Sequence, residues 1–276
     1  MRVITHSITY PSRGSIIRIT PIADIHLGNA LCDEKLLAET VATIKDDPLH
    51  FWGGMGDSGD FINRSDRRHR ESHLAKWLHG KDDLAAAQID RIVELLEPIA
   101  DKCLWLLRGN HEDLIHKRYE HDVYAELCRR MGACEARPLE LGYRGFVRVR
   151  MHRRTKKSNT TTVVIYVHHG YGGGRMEGGK ALKLGRLPKS YRADIYLYAH
   201  SHVKLIQPVH TIEPARTADT LVGRDLWGCM TGTFLRSYDP RGKLEVYSEE
   251  QDYPPTTLGA IEIQLEPANS RIRVRG

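Results

Sequence analysis

Five times along this chain a short apolar run stops at a loop carrying Asp, His or Asn, each time beside glycine or alanine. Ile16 to Ile22 leads to Asp24-Ile25-His26, and Leu49 to Trp52 leads through Gly53-Gly54-Met55-Gly56 to Asp57 and Asp60. Cys103 to Leu107 leads to Gly109-Asn110-His111-Glu112, Thr161 to Val167 to His168-His169-Gly170, and Ile195 to Ala199 to His200-Ser201-His202. A lone Asp-x-His says little, because such pairs often hydrogen-bond each other or cap a helix. Five loops of this kind after five strand-like runs constrain the fold. In an open α/β sheet ligands bind outside the carboxyl ends of the strands, so these loops are expected to converge on one rim.

The intervening sequence agrees. Val3 to Tyr10 and Ser15 to Ile22 read as strands joined at Pro11-Ser12-Arg13-Gly14, whose Pro and Gly are turn formers. Asp33 is placed to cap a helix whose Leu36, Leu37, Thr40, Val41 and Ile44 share one face. Leu84 to Leu96 is a second amphipathic helix, with Pro98 just beyond its end. The polar stretch Asn63 to Gly80 reads as a helix beside the site, and Tyr119 to Met131 as another. This βαβα alternation predicts a largely parallel inner sheet covered by helices. After Gly132 the pattern turns β-rich: Gly145 to His152 and Thr161 to Val167 form a hairpin across the basic loop Arg153 to Asn159. Short strands follow at Ile195 to Ala199, Val203 to His210, Leu226 to Thr233, Leu244 to Ser248, Gly259 to Leu265 and Ile272 to Val274. The expected architecture is α/β, a two-sheet sandwich flanked by helices, with residues 1–276 forming one domain.

No apolar run reaches the ~18 residues of a membrane span, and the N-terminal stretch Met1-Arg2-Val3-Ile4-Thr5-His6 lacks the pattern of a signal peptide. The expectation is a cytoplasmic protein with no membrane partner. The five cysteines are scattered and form no Cys-x-x-Cys pair, which argues for reduced thiols over a disulfide framework or a structural zinc site. A formal charge of +6 is compatible with a polyanionic partner. Basic side chains gather in Arg64 to Arg70, Arg148 to Lys157 and Arg175 to Arg192, and each run reads equally well as a solvated surface.

Asp, His and Asn ligands without thiolates suit Mn²⁺, Fe, Zn²⁺ or a related transition metal. A carboxylate such as Asp57 has two oxygens and can bridge two ions, an arrangement that clamps a phosphoryl oxygen and acidifies water. A phosphoester also needs a proton for its leaving alkoxide, and His111 is the natural donor, since imidazole exchanges protons near neutrality.

These blocks, in this order from Asp24 to His202, resemble the calcineurin-like metallophosphoesterases: Asp-x-His, Gly-Asp-x-x-Asp, Gly-Asn-His-Asp/Glu, a His after a strand, and a final His-x-His. The resemblance implies a four-layer α-β-β-α sandwich of two mixed sheets. It implies two divalent transition metal ions, Mn²⁺ first, with Fe, Zn²⁺, Ni²⁺ or Co²⁺ as the other candidates. One ion would be held by Asp24, His26, Asp57 and His202, the other by Asp57, Asn110, His200 and one histidine of the pair His168-His169. His169 is favoured because Gly170 follows it, with His168 as the alternative. Asp60 would hydrogen-bond and orient His111. Glu112 reads better as a structural hydrogen-bonding partner than as a catalyst, and Trp52, Trp77 and Trp105 as packing residues.

Two departures bear on the substrate. Asp60-Phe61-Ile62 stands where protein Ser/Thr phosphatases of this superfamily have Asp-Arg-Gly with a phosphate-gripping Arg. The glycine-rich stretch His169 to Lys180 could bring Arg175 and Lys180, with Lys183 and Arg186, to an anion; a plain surface loop is the alternative. The reading is a metal-dependent phosphoesterase with a phosphoester substrate, leaning to phosphodiester cleavage in nucleic acid, DNA or RNA. The alternatives are a phosphomonoesterase acting on a nucleotide or phosphoprotein, and a non-catalytic scaffold of the same fold.

Overall fold

The computed structural model describes residues 1–172, 177–215 and 217–276. The first half runs β1 (Arg2–Tyr10), β2 (Ile17–Ile22), α1 (Glu34–Asp46), β3 (His50–Gly54), α2 (Leu84–Leu96), β4 (Cys103–Leu106), α3 (Asn110–Tyr119) and α4 (Val123–Arg130). The second half runs β5 (Arg144–Arg153), β6 (Lys156–His168), α5 (Glu177–Ser190), β7 (Ile195–Tyr198), β8 (Lys204–Pro214), β9 (Leu221–Thr233), α6 (Tyr247–Glu250), β10 (Gly259–Ala260), β11 (Glu262–Glu266) and β12 (Arg271–Arg275).

Two mixed sheets form. The five-stranded sheet has the order β12-β11-β2-β3-β4, with β2, β3 and β4 parallel and β11 and β12 antiparallel. The seven-stranded sheet has the order β1-β5-β6-β7-β9-β10, with β8 paired to β9. Ile17, Ile19 and Trp105 from one sheet pack on Val147, Val149, Ile165 and Leu197 from the other, all essentially without exposure. Side chains alternate along a strand, so the opposite face of the five-stranded sheet, Ile22 and Trp52 among others, meets Leu37, Val41 and Ile44 of α1 and Ile89 and Ile92 of α2. On the far side of the seven-stranded sheet, Leu184 of α5 packs on Tyr198 and Met230. The layers are therefore α-β-β-α, as expected. Helices α1, α2 and α4 start where an Asp accepts the orphan N–H of the first turn: Asp33 from Leu36, Asp83 from Ala86 and Asp122 from Ala125. No helix among the described residues is long and apolar enough to cross a membrane.

Several local expectations are corrected. Asn63 to Gly80 is not a helix; it holds only single 3₁₀ turns at Glu71–His73 and Lys76–Leu78. Its polar side chains tie turns together instead: the Asp66 carboxylate takes Arg68 and Arg118, and Arg64 reaches the carbonyls of Lys81 and Asp82. The helix expected at Tyr119 to Met131 is α4, Val123–Arg130; α3, which was not expected, precedes it and ends where Glu120 adopts a left-handed conformation. Leu244 to Ser248 is not a strand; the short helix α6 starts there. Helix α5 was not expected at all, since Gly178, Gly179, Gly185 and Pro188 argue against a helix by propensity; packing of Leu184 outweighs them.

Candidate metal centre and active site

Each loop that carries Asp, His or Asn leaves the carboxyl end of a parallel strand. Asp24 and His26 follow β2, Asp57 and Asp60 follow β3, and Asn110 and His111 open α3 after β4. His169 follows β6, and His200 and His202 follow β7. Main-chain bonds tie these loops to one another: Asp24 N–H to the Gly56 carbonyl at 3.2 Å, and His26 N–H to that of Asp57 at 3.0 Å. Glycine is required where the loops cross. A Cβ on Gly109 would stand 2.1 Å from Asp57 Oδ1, and one on Gly56, at φ +94°, 2.7 Å from His169 Nδ1. Asp24, His26, Asp57, His200 and His202 all have φ between +48° and +65°. Left-handed backbone at five non-glycine residues costs free energy, and such strain clusters at functional sites.

The side chains meet in two groups that share a neighbourhood. In the first, Asp24, His26 and His202 bring ligand atoms within 4.8 Å of one another; His26 Nε2 is 3.2 Å from His202 Nε2 and His202 Nε2 is 3.8 Å from Asp24 Oδ1. In the second, Asp57, His169 and His200 do the same. His169 Nε2 lies 3.3 Å from Asp57 Oδ2 and 3.0 Å from Asn110 Oδ1. Asp57 Oδ2 is also 3.9 Å from His26 Nε2, so one carboxylate oxygen faces both groups. The structure thus brings together Asp24, His26, Asp57, Asn110, His169, His200 and His202. His168 points to the other face of β6, edge-on to the Tyr198 ring at 5.2 Å. Adjacent strand residues face opposite ways, so only one of the pair can reach the site.

Around these groups the hydrogen bonds fix ring orientation. His169 Nδ1 donates to the Met55 carbonyl at 2.8 Å, which turns its Nε2 inward. His26 Nδ1 donates to Asp60 Oδ1 at 3.2 Å, and Asn29 Nδ2 donates to Asp60 Oδ2 at 3.3 Å. The expected bond from the Asp60 carboxylate to His111 is corrected: His111 Nδ1 donates to the Asp60 carbonyl at 2.5 Å, while the nearest carboxylate oxygen is 3.9 Å away. The carboxylate is already engaged by His26, so the main chain does the orienting. His111 Nε2 is left free of that bond. Glu112, buried, accepts from the N–H groups of Asp57, Ser58 and Gly109 and from the Ser58 hydroxyl. Neither the Asp60–His26 pair nor this clasp was foreseen in detail; the spacing of Glu112 from Gly109 was the only signal.

Burial and charge work against each other here. Burial alone would lower the His26 and His169 pKa values. The hydrogen bond that His26 donates to Asp60 and the charges of Asp57, Asp60 and Asp24 raise His26 to about 9, and chiefly Asp57 raises His169 to about 10. Burial raises Asp24 to about 7, whereas the His169 and His111 charges overcome burial at Asp57 and hold it well below the carboxylate range. His200, lowered to about 4 by burial and then by His169, is neutral near pH 7.

The donor set fits divalent cations. Asp24 Oδ1 and His200 Nδ1 are buried with no hydrogen-bond partner, a costly condition for polar atoms that ligation relieves. His26 is held through Nδ1 by a carboxylate, as metal-ligating histidines commonly are. Oxygen and imidazole ligands without thiolate suit first-row transition metals.

The expected substrate cations fare differently. Arg175 lies outside the described residues. Lys180 is buried in α5 at 5% exposure, so it is not the solvent-facing cation expected. Lys183 Nζ bonds the carbonyls of Tyr171 and Gly172. Arg186 and Lys189 lie nine and twelve residues past Glu177 on α5, roughly 14 and 18 Å down the helix. The basic run is therefore not one patch at the rim.

A family model described as calcineurin-like phosphoesterase matches residues 17–204. None of the curated proteins matches the chain. Among solved structures, a metallophosphoesterase from Sphaerobacter thermophilus is 14% identical over 94% of this chain and 87% of that one, with a TM-score of 0.42. The nuclease MPE of Pseudomonas putida is 11% identical over 93% and 86%, at 0.34. Calcineurin-like phosphoesterase YfkN from Bacillus subtilis is 12% identical over 94% and 88%, at 0.35. Superpositions this loose carry no weight beside the family model.

Proposed function

The chain belongs to the calcineurin-like phosphoesterases, metal-dependent hydrolases of phosphoric esters, and from that premise we propose that it is a binuclear phosphodiesterase acting on nucleic acid. Asp24, His26, Asp57 and His202 would hold one ion and Asp57, Asn110, His169 and His200 the other. When bound, such a pair supplies Lewis acidity toward the phosphoryl oxygens and lowers the pKa of water. The protein's own groups do the rest. Asp60 and Met55 fix the two ligand imidazoles with Nε2 inward, and Glu112 holds the turn that presents Asp57. His111, oriented by the Asp60 carbonyl, delivers a proton from Nε2 to the leaving oxygen.

The observation that carries the diester reading is the absence of a basic side chain from this shell. Among the described residues, no Lys or Arg hydrogen-bonds or ion-pairs with any of the seven candidate ligands, with Asp60 or with His111. Where a phosphate-gripping Arg would stand, Phe61 is buried at 2% exposure. A dianionic monoester gains from such a grip; a monoanionic diester has less charge to neutralise. Arg67 and Arg70 stay exposed on the segment that packs beside the Gly28–Ala30 turn, and they offer a longer polyanion contacts beyond the scissile group. The test compares bis-p-nitrophenyl phosphate, p-nitrophenyl phosphate and single- and double-stranded DNA and RNA, each with added Mn²⁺. Diester and nucleic acid turnover with weak monoester turnover is the expected result; a monoesterase that leaves every nucleic acid intact overturns the proposal.

A further inference from the structure

Among the described residues no Lys or Arg bonds the inner shell, so recognition of the substrate beyond its phosphate draws on uncharged surface as well as on the outlying arginines. Tyr171 supplies one. At 83% exposure it is the most exposed large apolar side chain among the described residues, although it stands two positions after His169, on the rim of the site. Its main chain is not loose. Tyr171 N–H donates to the Tyr198 hydroxyl at 2.8 Å, that hydroxyl donates back to the Tyr171 carbonyl at 3.1 Å, and Lys183 Nζ donates to the same carbonyl at 3.1 Å. Tyr198 is itself buried in β7, immediately before the loop of His200 and His202. Gly170, at φ +116°, makes this docking possible: a Cβ there would stand 2.7 Å from the Tyr198 ring.

A ring held out into water on a pinned backbone gains nothing for the fold, since its apolar faces stay hydrated. For a ligand it is a preorganised surface, with most of the ordering already done. Every nucleobase has a π-face that can stack on such a ring, and stacking is tolerant of sequence. In a duplex each base is already stacked and paired, so it must be extruded first. Resting on the nucleic acid reading above, we propose that Tyr171 is a base-stacking platform that makes single-stranded nucleic acid the substrate class of this site. Lys183 Nζ, bonded to the Tyr171 carbonyl and 5.9 Å from the Tyr198 ring centroid, sets a positive charge beside the platform that favours a polyanion.

The experiment measures kcat/KM for a single-stranded oligonucleotide, its duplex, and methyl p-nitrophenyl phosphate, a diester without a base, in wild type, Tyr171→Ala and Tyr171→Phe. The expected result is a preference for the single strand in wild type. Its ratio to the small diester falls about 10-fold in Tyr171→Ala, mainly through KM, and holds in Tyr171→Phe, which keeps the ring. Anisotropy of the labelled single strand on the metal-free protein should weaken in parallel. Single-strand cleavage with the ratio unchanged in Tyr171→Ala, or lost equally in Tyr171→Phe, overturns the platform and leaves the nuclease reading intact. A wild type that hydrolyses the small diester and cleaves no oligonucleotide removes the nuclease reading and the platform together.

Discussion

On the five-stranded side of the site the functional groups are gripped by carboxylates: Asp60 on His26, Glu112 on the Asp57 turn, Asp66 on the flanking turn through Arg68 and Arg118. On the seven-stranded side the grip comes from a carbonyl and a phenol, Met55 on His169 and Tyr198 on Tyr171, and from the Asp24 carboxylate of the other rim, which takes the His200 N–H at 2.9 Å; among the described residues His200 Nδ1 has no hydrogen-bond partner and His202 meets His26 and Asp24. The first rim is set by its own hydrogen bonds before any ion arrives. The second depends on what it shares with the first. Proteins of marginal stability cannot rigidify every loop, and here the hydrogen bonds gather around the turn that carries Asp57.

Breaking the link between the rims should give the largest effect. Asp57 Oδ2 faces His169 and His26, and Oδ1 accepts the His111 N–H at 2.9 Å. Asp57→Asn keeps the shape and removes the charge. We expect elemental analysis to fall from about two transition metal ions per chain to less than one, with hydrolysis lost in proportion. A variant that keeps one ion at full affinity would show two independent sites and not two halves joined by one carboxylate.

The same asymmetry explains what was legible in the sequence. Asp24, His26, Asp57, Asn110, His200 and His202 could be named because each ends an apolar strand-like run, and strand ends are where such sites form. Helix α1 was legible from its Asp33 cap and apolar period, and α2 from its apolar period and the Pro98 beyond its end. The partner of Asp60 was not, because its carboxylate and its carbonyl serve different histidines, a choice set by backbone direction in a turn where Phe61 has φ +46°. Nor was α5, whose glycines and proline argue against the packing that stabilises it. The split between His168 and His169 needed the strand's alternation to be phased, which the sheet supplies.

A sharper test of the first rim separates the two jobs of Asp60. His111→Ala should retain metal and slow hydrolysis by ~10²–10⁴-fold on poor leaving groups, with a smaller loss on p-nitrophenolate, which hardly needs a proton. Asp60→Asn keeps the carbonyl that orients His111 and weakens the carboxylate's grip on His26 Nδ1 and on Asn29 Nδ2. Its metal affinity should drop by ~10–100-fold, measured against a competing chelator, while the dependence on leaving group at saturating metal stays that of wild type. If Asp60→Asn flattens or steepens that dependence as His111→Ala does, the carboxylate orients the acid after all.

The smallest effect distinguishes carboxylate knots from phenol knots by pH. Hydrogen bonding from the Arg68 side chain holds the buried Asp66 carboxyl at about 2, with the Arg68 and Arg118 charges adding to it. Its folded pKa lies below the unfolded value, so its contribution to stability is fully present above about 4 and is lost as pH falls through 4 toward 2. Both arginines are nearly half exposed, and screening limits the contribution to about 1 kcal/mol. Asp66→Asn should therefore be less stable than wild type at pH 7 by that amount in urea unfolding, and the gap should close by pH 2. Amides of residues 63–80 should lose exchange protection over the same window. The Tyr198 knot should hold there: burial raises the pKa of its phenol, which stays neutral across the range. Equal loosening of residues 63–80 and 169–172 in acid would mean that the two rims are held alike and that the contrast drawn from their hydrogen bonds is wrong.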